Sequence, residues 1–154
     1  MMVIVDKAEE FYRHHADELL RFATALVGPS GSEDLFANVI LKLLPSAGFQ
    51  AAEHQRAYAF RAVLNEARAS HRSTQRRLAR EIKAVRPDGY EPHQLHSEVV
   101  EALRKLSVQQ RAVVYLSYWD DLPLAEVAVA VGIPLRTCER ELSAARSRLK
   151  DLLK

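Results

Sequence analysis

Apolar residues recur every three to four positions along nearly the whole chain, and no stretch keeps the two-residue alternation of a half-buried strand. The pattern predicts an all-α protein. A first helix is expected over about Asp6 to Val27, with Phe11, Leu19, Phe22, Ala23 and Leu26 on its buried side. Gly28-Pro29-Ser30-Gly31 breaks it. Ser32 is the expected cap of a second helix, with Glu33 and Asp34 in the first turn, where the helix dipole favours anions. Leu35, Val39, Ile40 and Leu43 form its apolar stripe, and Pro45 and Gly48 end it. A third helix starts near Glu53 and extends to about Val85. Arg86-Pro87-Asp88-Gly89-Tyr90-Glu91-Pro92 cannot continue a helix, because each proline lacks the N–H a helix needs. The chain therefore divides into two small helical domains, 1–86 and 95–154, joined by a linker over 87–94. A further helix is expected over Leu95 to Lys105.

The second domain has sharper punctuation. Ser107-Val108-Gln109-Gln110 has the form of a capping box, a serine cap with a glutamine three residues on. The helix it opens is expected to reach Trp119. Asp120-Asp121-Leu122-Pro123 turns the chain, with Pro123 suited to a first helical position. A short helix follows over Leu124 to Val131. Gly132 is placed to take the left-handed conformation that ends it, and Ile133-Pro134 leads into a last helix over Leu135 to Leu152. A short helix, a glycine turn and a longer helix make a helix-turn-helix. At about 100° per residue, Leu135, Cys138, Leu142, Ala145 and Leu149 share one face of the last helix. Arg136, Thr137, Arg140, Ser143, Ala144 and Ser147 share the opposite one, with Glu139 and Glu141 at its flanks. A polar, basic face of short side chains and two arginines suits the DNA major groove. The bland alternative is a solvated amphipathic helix in a bundle.

The third helix has its own pattern. Arg61, Asn65, Arg68, Arg72 and Arg76 fall within a stripe about 80° wide, with Tyr58 at its start and Arg77 beside its end. Phe60, Val63, Leu64, Ala67 and Leu78 occupy the other side. A solvated face usually mixes in more acids for i, i+4 pairing; before Glu81 only Glu66 interrupts this one. The arginines can neutralise phosphates, and an aromatic beside them can stack an exposed base.

Charge reinforces this reading. The net charge of +2 hides four blocks. Residues 1–55 carry −4, 56–86 carry +7, 87–131 carry −4 and 132–154 carry +3. Two separated basic blocks fit two contacts with one polyanion. No apolar run is long enough for a transmembrane helix, the N-terminus lacks the features of a signal peptide, and Cys138 is the only cysteine. A cytoplasmic setting is expected. Histidines 14, 15, 93 and 96 lack metal-site spacing, there is no glycine-rich phosphate loop, and no nucleophile has a recognisable base partner. No enzyme activity, cofactor, metal or small-molecule substrate is expected.

An N-terminal helical domain with an arginine ridge, a Pro/Gly linker and a C-terminal helix-turn-helix resembles the extracytoplasmic-function sigma factors of bacterial RNA polymerase. The likeness covers nearly the whole chain. It rests on Ser32-Glu33-Asp34-Leu35 with the apolar-rich Phe36 to Leu44, on Arg56 to Arg68, and on Leu106 to Arg111 with Leu122 to Ala128 and Val131 to Pro134. The resemblance implies a factor that binds core polymerase and promoter DNA and starts transcription. It implies that Glu33, Asp34, Leu35, Asn38, Leu41 and Lys42 face the polymerase. Tyr58, Arg61, Asn65, Arg68, Arg72, Arg76 and Arg77 would belong to the helix that opens the downstream (−10) element, and the 46–54 loop would hold a flipped base. Arg136, Thr137, Arg140 and Ser143 would enter the upstream (−35) major groove. An anti-sigma protein is an implied partner. The family usually carries a glutamine and an acid at Ala37 and Asn38, and lysine and arginine at Glu139 and Glu141. The alternative is a helix-turn-helix regulator that binds DNA or a partner without melting promoters.

Overall fold

A computed structural model describes residues 2–78 and 97–152, with side chains over 7–70 and 101–152. The expected linker over 87–94 lies outside the described residues, as do the side chains of Arg72, Arg76, Arg77 and Leu78. All regular structure among the described residues is α-helical: α1 (Met2–Val27), α2 (Ser32–Leu43), α3 (Ala47–Ala51), α4 (Gln55–Leu78), α5 (Ser97–Arg104), α6 (Val108–Tyr118), α7 (Leu124–Val131) and α8 (Leu135–Leu152).

The local signals account for most of these boundaries. Gly28 ends α1 at φ 86°, and its N–H donates to the Thr24 carbonyl at 2.8 Å. The capping box forms as expected, with the Gln110 N–H on Ser107 Oγ at 3.1 Å and the Ser107 N–H on Gln110 Oε1 at 3.3 Å. Gly132 ends α7 at φ 82°, a conformation an L side chain adopts only with strain.

Four expectations need correction. Helix α1 begins at Met2 rather than near Asp6. Gly31, not Ser32, is the N-cap of α2; Ser32 is buried and turns its hydroxyl to the Pro29 carbonyl at 3.4 Å. The 46–54 segment is not all loop, because Ser46 caps the short helix α3 by accepting from the Phe49 N–H. Pro123 is the N-cap of α7 rather than its first residue, and its carbonyl accepts from Glu126 and Val127.

The two halves pack as one body. Helix α1 runs through the centre and contacts α2 and α4 on one side, α5 and α6 on the other, while α4 also touches α6 and α7. The apolar stripes of all these helices meet in a single core. Phe22 of α1 stands edge-on to Phe60 of α4, centroids 5.1 Å apart, and lies 5.9 Å from the Tyr115 ring of α6. All three rings are essentially inaccessible. Burying such apolar area is the main stabilising term of a helical assembly, so the core spans both halves instead of serving each alone.

Candidate nucleic-acid interface

Helices α6, α7 and α8 build the C-terminal site. Cys138 and Ala145 bury the inner face of α8 against α6 and α7, with Leu142 and Leu149 half-buried beside them. That docking turns Arg136, Arg140, Ser143, Ala144 and Ser147 outward, and all five are exposed; Thr137 is partly covered at the edge. Neither Arg136 nor Arg140 has an ion-pair or hydrogen-bond partner among the described residues, so both guanidinium forks are free to meet a ligand. Glu139 is exposed and Glu141 half-buried at the flanks of this strip. The main neighbours of α8 are α5, α6 and α7, so the strip faces away from the N-terminal half.

The ridge on α4 is differently placed. Phe60, Val63, Leu64 and Ala67 are all buried, as their periodicity requires. Asn65 is exposed. Arg61 instead donates from Nη2 to the Val129 carbonyl on α7 at 2.6 Å, and its guanidinium would lie 3.2 to 3.3 Å from a Cβ at Gly132. Arg68 donates from Nη2 to Gln109 Oε1 on α6 at 2.8 Å. Tyr58 leans on α3: its ring centroid is 6.0 Å from that of Phe49, and its hydroxyl would sit 2.7 Å from a Cβ at Gly48. Gly48 is therefore needed for this close approach. Tyr58 keeps 40% of its surface exposed.

On α2, Glu33, Asp34, Asn38, Leu41 and Lys42 form an exposed edge, and Leu41 is 74% exposed. Leu35 is not part of that surface; it is buried in the core and supports the helix from behind. Lys42 reaches Glu66 of α4 at 3.6 Å.

Polar groups packed between the helices were not legible in the sequence. Arg56 of α4 makes two hydrogen bonds to the Glu18 carboxylate of α1, and His15 Nδ1 lies 2.6 Å from the same group. Burial alone would raise the Glu18 pKa, yet Arg56 and His15 together hold it below the usual carboxylate value. Asp120 lies close by. Burial, reinforced by the Glu18 charge, pushes its carboxyl up to about 6 against the partial relief of Arg56 and Arg21. Its Oδ2 is buried without a hydrogen-bond partner, as is Ser117 Oγ. Arg111 is buried and donates to the backbone carbonyls of Leu26, Leu106 and Arg104. These carbonyls lie at or just beyond the C-termini of α1 and α5, where helices leave acceptors unpaired. Burial lowers the Arg111 pKa from its ordinary value.

A helix-turn-helix whose last helix presents an exposed basic strip has the form of a DNA-binding module. Residues 96–149 match the family described as sigma-70, region 4. Across its length the chain is similar to the RNA polymerase sigma-E factor of Streptomyces coelicolor, with 28% identity over 94% of this chain and 85% of that protein. The sigma-E factor of Streptomyces avermitilis is also 28% identical, over 94% of this chain and 84% of its own length. The fold is shared with the sigma factor RpoE in its complex with the anti-sigma factor NepR from Bartonella quintana. The TM-score is 0.72 at 24% identity, covering 94% of this chain and 97% of that one. It is also shared with CnrH in complex with the cytosolic domain of CnrY, at TM-score 0.68 and 19% identity, covering 98% and 95% of the two chains. Residues 96–149 thus carry a sigma-70 region 4 domain, and over most of its length the chain is similar to RNA polymerase sigma-E factors. Similarity that runs through both halves disfavours a separate class of helix-turn-helix regulator.

Proposed function

We propose that this protein is a promoter-specificity subunit: it binds core RNA polymerase, recognises promoter DNA at two places and starts transcription. The observation that carries this is the region 4 helix-turn-helix, whose last helix turns two unpaired arginines to solvent. Arg136 and Arg140 suit guanine acceptors in the −35 major groove, with Thr137 and Ser143 bonding bases or phosphates beside them. The ridge of Asn65, Arg68, Arg72, Arg76 and Arg77, with Arg61 and Tyr58 at its start, handles the −10 element: arginines against phosphates, the exposed part of Tyr58 against an unstacked base. The exposed edge of α2, Glu33, Asp34, Asn38, Leu41 and Lys42, is the surface for core polymerase, and Leu41 is its apolar anchor. An anti-sigma protein is the expected inhibitor. The work is binding and melting in the cytoplasm, without catalysis of its own.

The test is reconstitution. The purified chain is added to core polymerase and transcription from genomic DNA is mapped. Initiation at a defined set of promoters is expected, and substituting Arg68 and Arg72 together with Ala removes open complexes. Failure to bind core at micromolar concentration overturns the proposal.

A further inference from the structure

The face that α8 turns to solvent carries one acid that its arginines leave alone. Cys138 and Ala145, both fully buried, set the inward direction of the helix. At about 100° per residue, Glu139 projects about 70° from the opposite, outward direction, whereas Glu141 projects about 130° from it, back toward the body of the protein. The exposures agree: Glu139 is exposed and Glu141 half-buried. Arg136 stands three residues before Glu139, a spacing at which opposite charges on a helix commonly pair. Yet Glu139 has no hydrogen bond or ion pair among the described residues, and Arg136 and Arg140 are equally unpaired. Glu139 also lies in the first two turns of α8, the part of a recognition helix that reaches base edges.

A carboxylate in a major groove meets repulsion almost everywhere. Phosphates line the walls, and guanine O6 and N7 and thymine O4 are all acceptors. An ionised carboxylate accepts hydrogen bonds and donates none. Two base-edge donors remain, the amino groups of cytosine and adenine. Adenine sets its N7 acceptor beside the amino group, so cytosine N4 is the edge that satisfies the acid without repelling it. The arginines make the complementary choice, guanine. Cβ atoms three residues apart on a helix are about 5–6 Å apart. Base pairs stack at about 3.4 Å, so the two contacts fall one or two base steps from each other.

We infer that Glu139 is a specificity-determining residue: its carboxylate selects cytosine, one or two base pairs from a guanine read by Arg136, and penalises the other three bases at that position. The inference rests on the DNA-reading role proposed above for α8. An acid that only tempered the charge of the strip would weaken binding to every sequence alike. One that reads cytosine changes which sequence is bound.

The test is selection from a pool of randomised duplexes by the full-length chain, run alone and with core polymerase. The parent should enrich sites with one position fixed as cytosine near a guanine. Glu139→Ala should lose that preference, by about five- to tenfold at the one position, and keep the guanine. Glu139→Gln should move the preference from cytosine to adenine, because an amide can accept from N6 and donate to N7 together. Glu141→Ala removes the same charge from the covered flank and should leave the base preferences unchanged. A cytosine preference that survives in Glu139→Ala, no fixed cytosine in the parent pool, or the same loss in Glu141→Ala overturns the assignment. Transcription from the enriched sites is read separately with core polymerase. If the sites depend on Glu139 but direct no initiation, the proposed function fails and the assignment stands. If initiation occurs without that dependence, the assignment alone fails.

Discussion

Arg56 of α4 grips Glu18 of α1 with a two-pronged ion pair, Nε to Oε1 at 2.9 Å and Nη2 to Oε2 at 2.8 Å. The two residues are 38 positions apart in sequence, and the pair fixes how the start of the ridge helix sits on the central helix. Parallel N–H···O bonds to one carboxylate restrict orientation as well as distance, and the carboxylate is mostly shielded. Removing the acceptor charge by Glu18→Gln should destabilise the fold by about 1.5–3 kcal/mol, the range for hydrogen bonds to charged groups. A double-mutant cycle with Arg56→Gln, followed by urea unfolding, measures the coupling. Strict additivity would show that the pair does not hold the helices together.

Asp120 gives the stability of the fold a pH dependence. Its carboxyl titrates at about 6 in the folded protein against an ordinary 3.8. The folded form thus holds its proton more tightly, so this group's contribution favours the fold at acidic pH. It falls as pH rises from about 4 to about 6 and stays lost above that. Glu18, with a lowered pKa, acts in the opposite sense and loses its contribution in acid. Asp120→Asn should isolate the first effect: the gain in melting temperature over the parent should be larger at pH 7.5 than at pH 4.5. A gain independent of pH would refute the assignment.

The shared core makes a single large deletion costly to both halves. Phe22 lies between Phe60 and Tyr115, one from each half, with no exposed surface. Phe22→Ala should cost about 3–5 kcal/mol, the usual range for emptying a buried aromatic site. The loss should appear as one cooperative transition reported alike by far-ultraviolet dichroism and Trp119 fluorescence. Two separated transitions would mean that the halves fold independently.

Glu141 lies at the flank of the basic strip on α8 and is half-buried. An acid there repels phosphate, so Glu141→Arg should strengthen duplex DNA binding and steepen its salt dependence by about one unit of slope if the new guanidinium meets a phosphate. Arg140→Ala should weaken binding. Fluorescence anisotropy across a salt series reads both. An unchanged slope and affinity in the Glu141→Arg variant would place that residue away from the DNA.

Most local signals in the sequence were reproduced where their cause was itself local; the cap at Ser32 and the first-turn place of Pro123 were not. The capping box at Ser107, the glycine stop at Gly132 and the bounds of α7 and α8 depend on residues within one or two turns, and they appear as their spacing requires. The apolar side of α4 was equally legible, because burial follows the helical period. Leu35 departed from expectation for a tertiary reason, and Ser32 for a local one. Gly31 takes the cap while Ser32 turns inward to Pro29, and Leu35 is consumed by the core.

The sequence by itself determined an all-helical chain, a helix-turn-helix with a basic outward strip, and an arginine ridge on a second helix. Those follow from periodicity, caps and charge order along one strand of covalent chain. Only the tertiary structure decided that one core serves both halves, that Glu18 and Arg56 join α1 to α4, and that Arg61 and Arg68 point at Val129 and Gln109. A helical wheel gives the direction of a side chain from its own axis. What it meets depends on which helix packs there, and partners 41 and 68 residues away leave no periodic trace in the sequence.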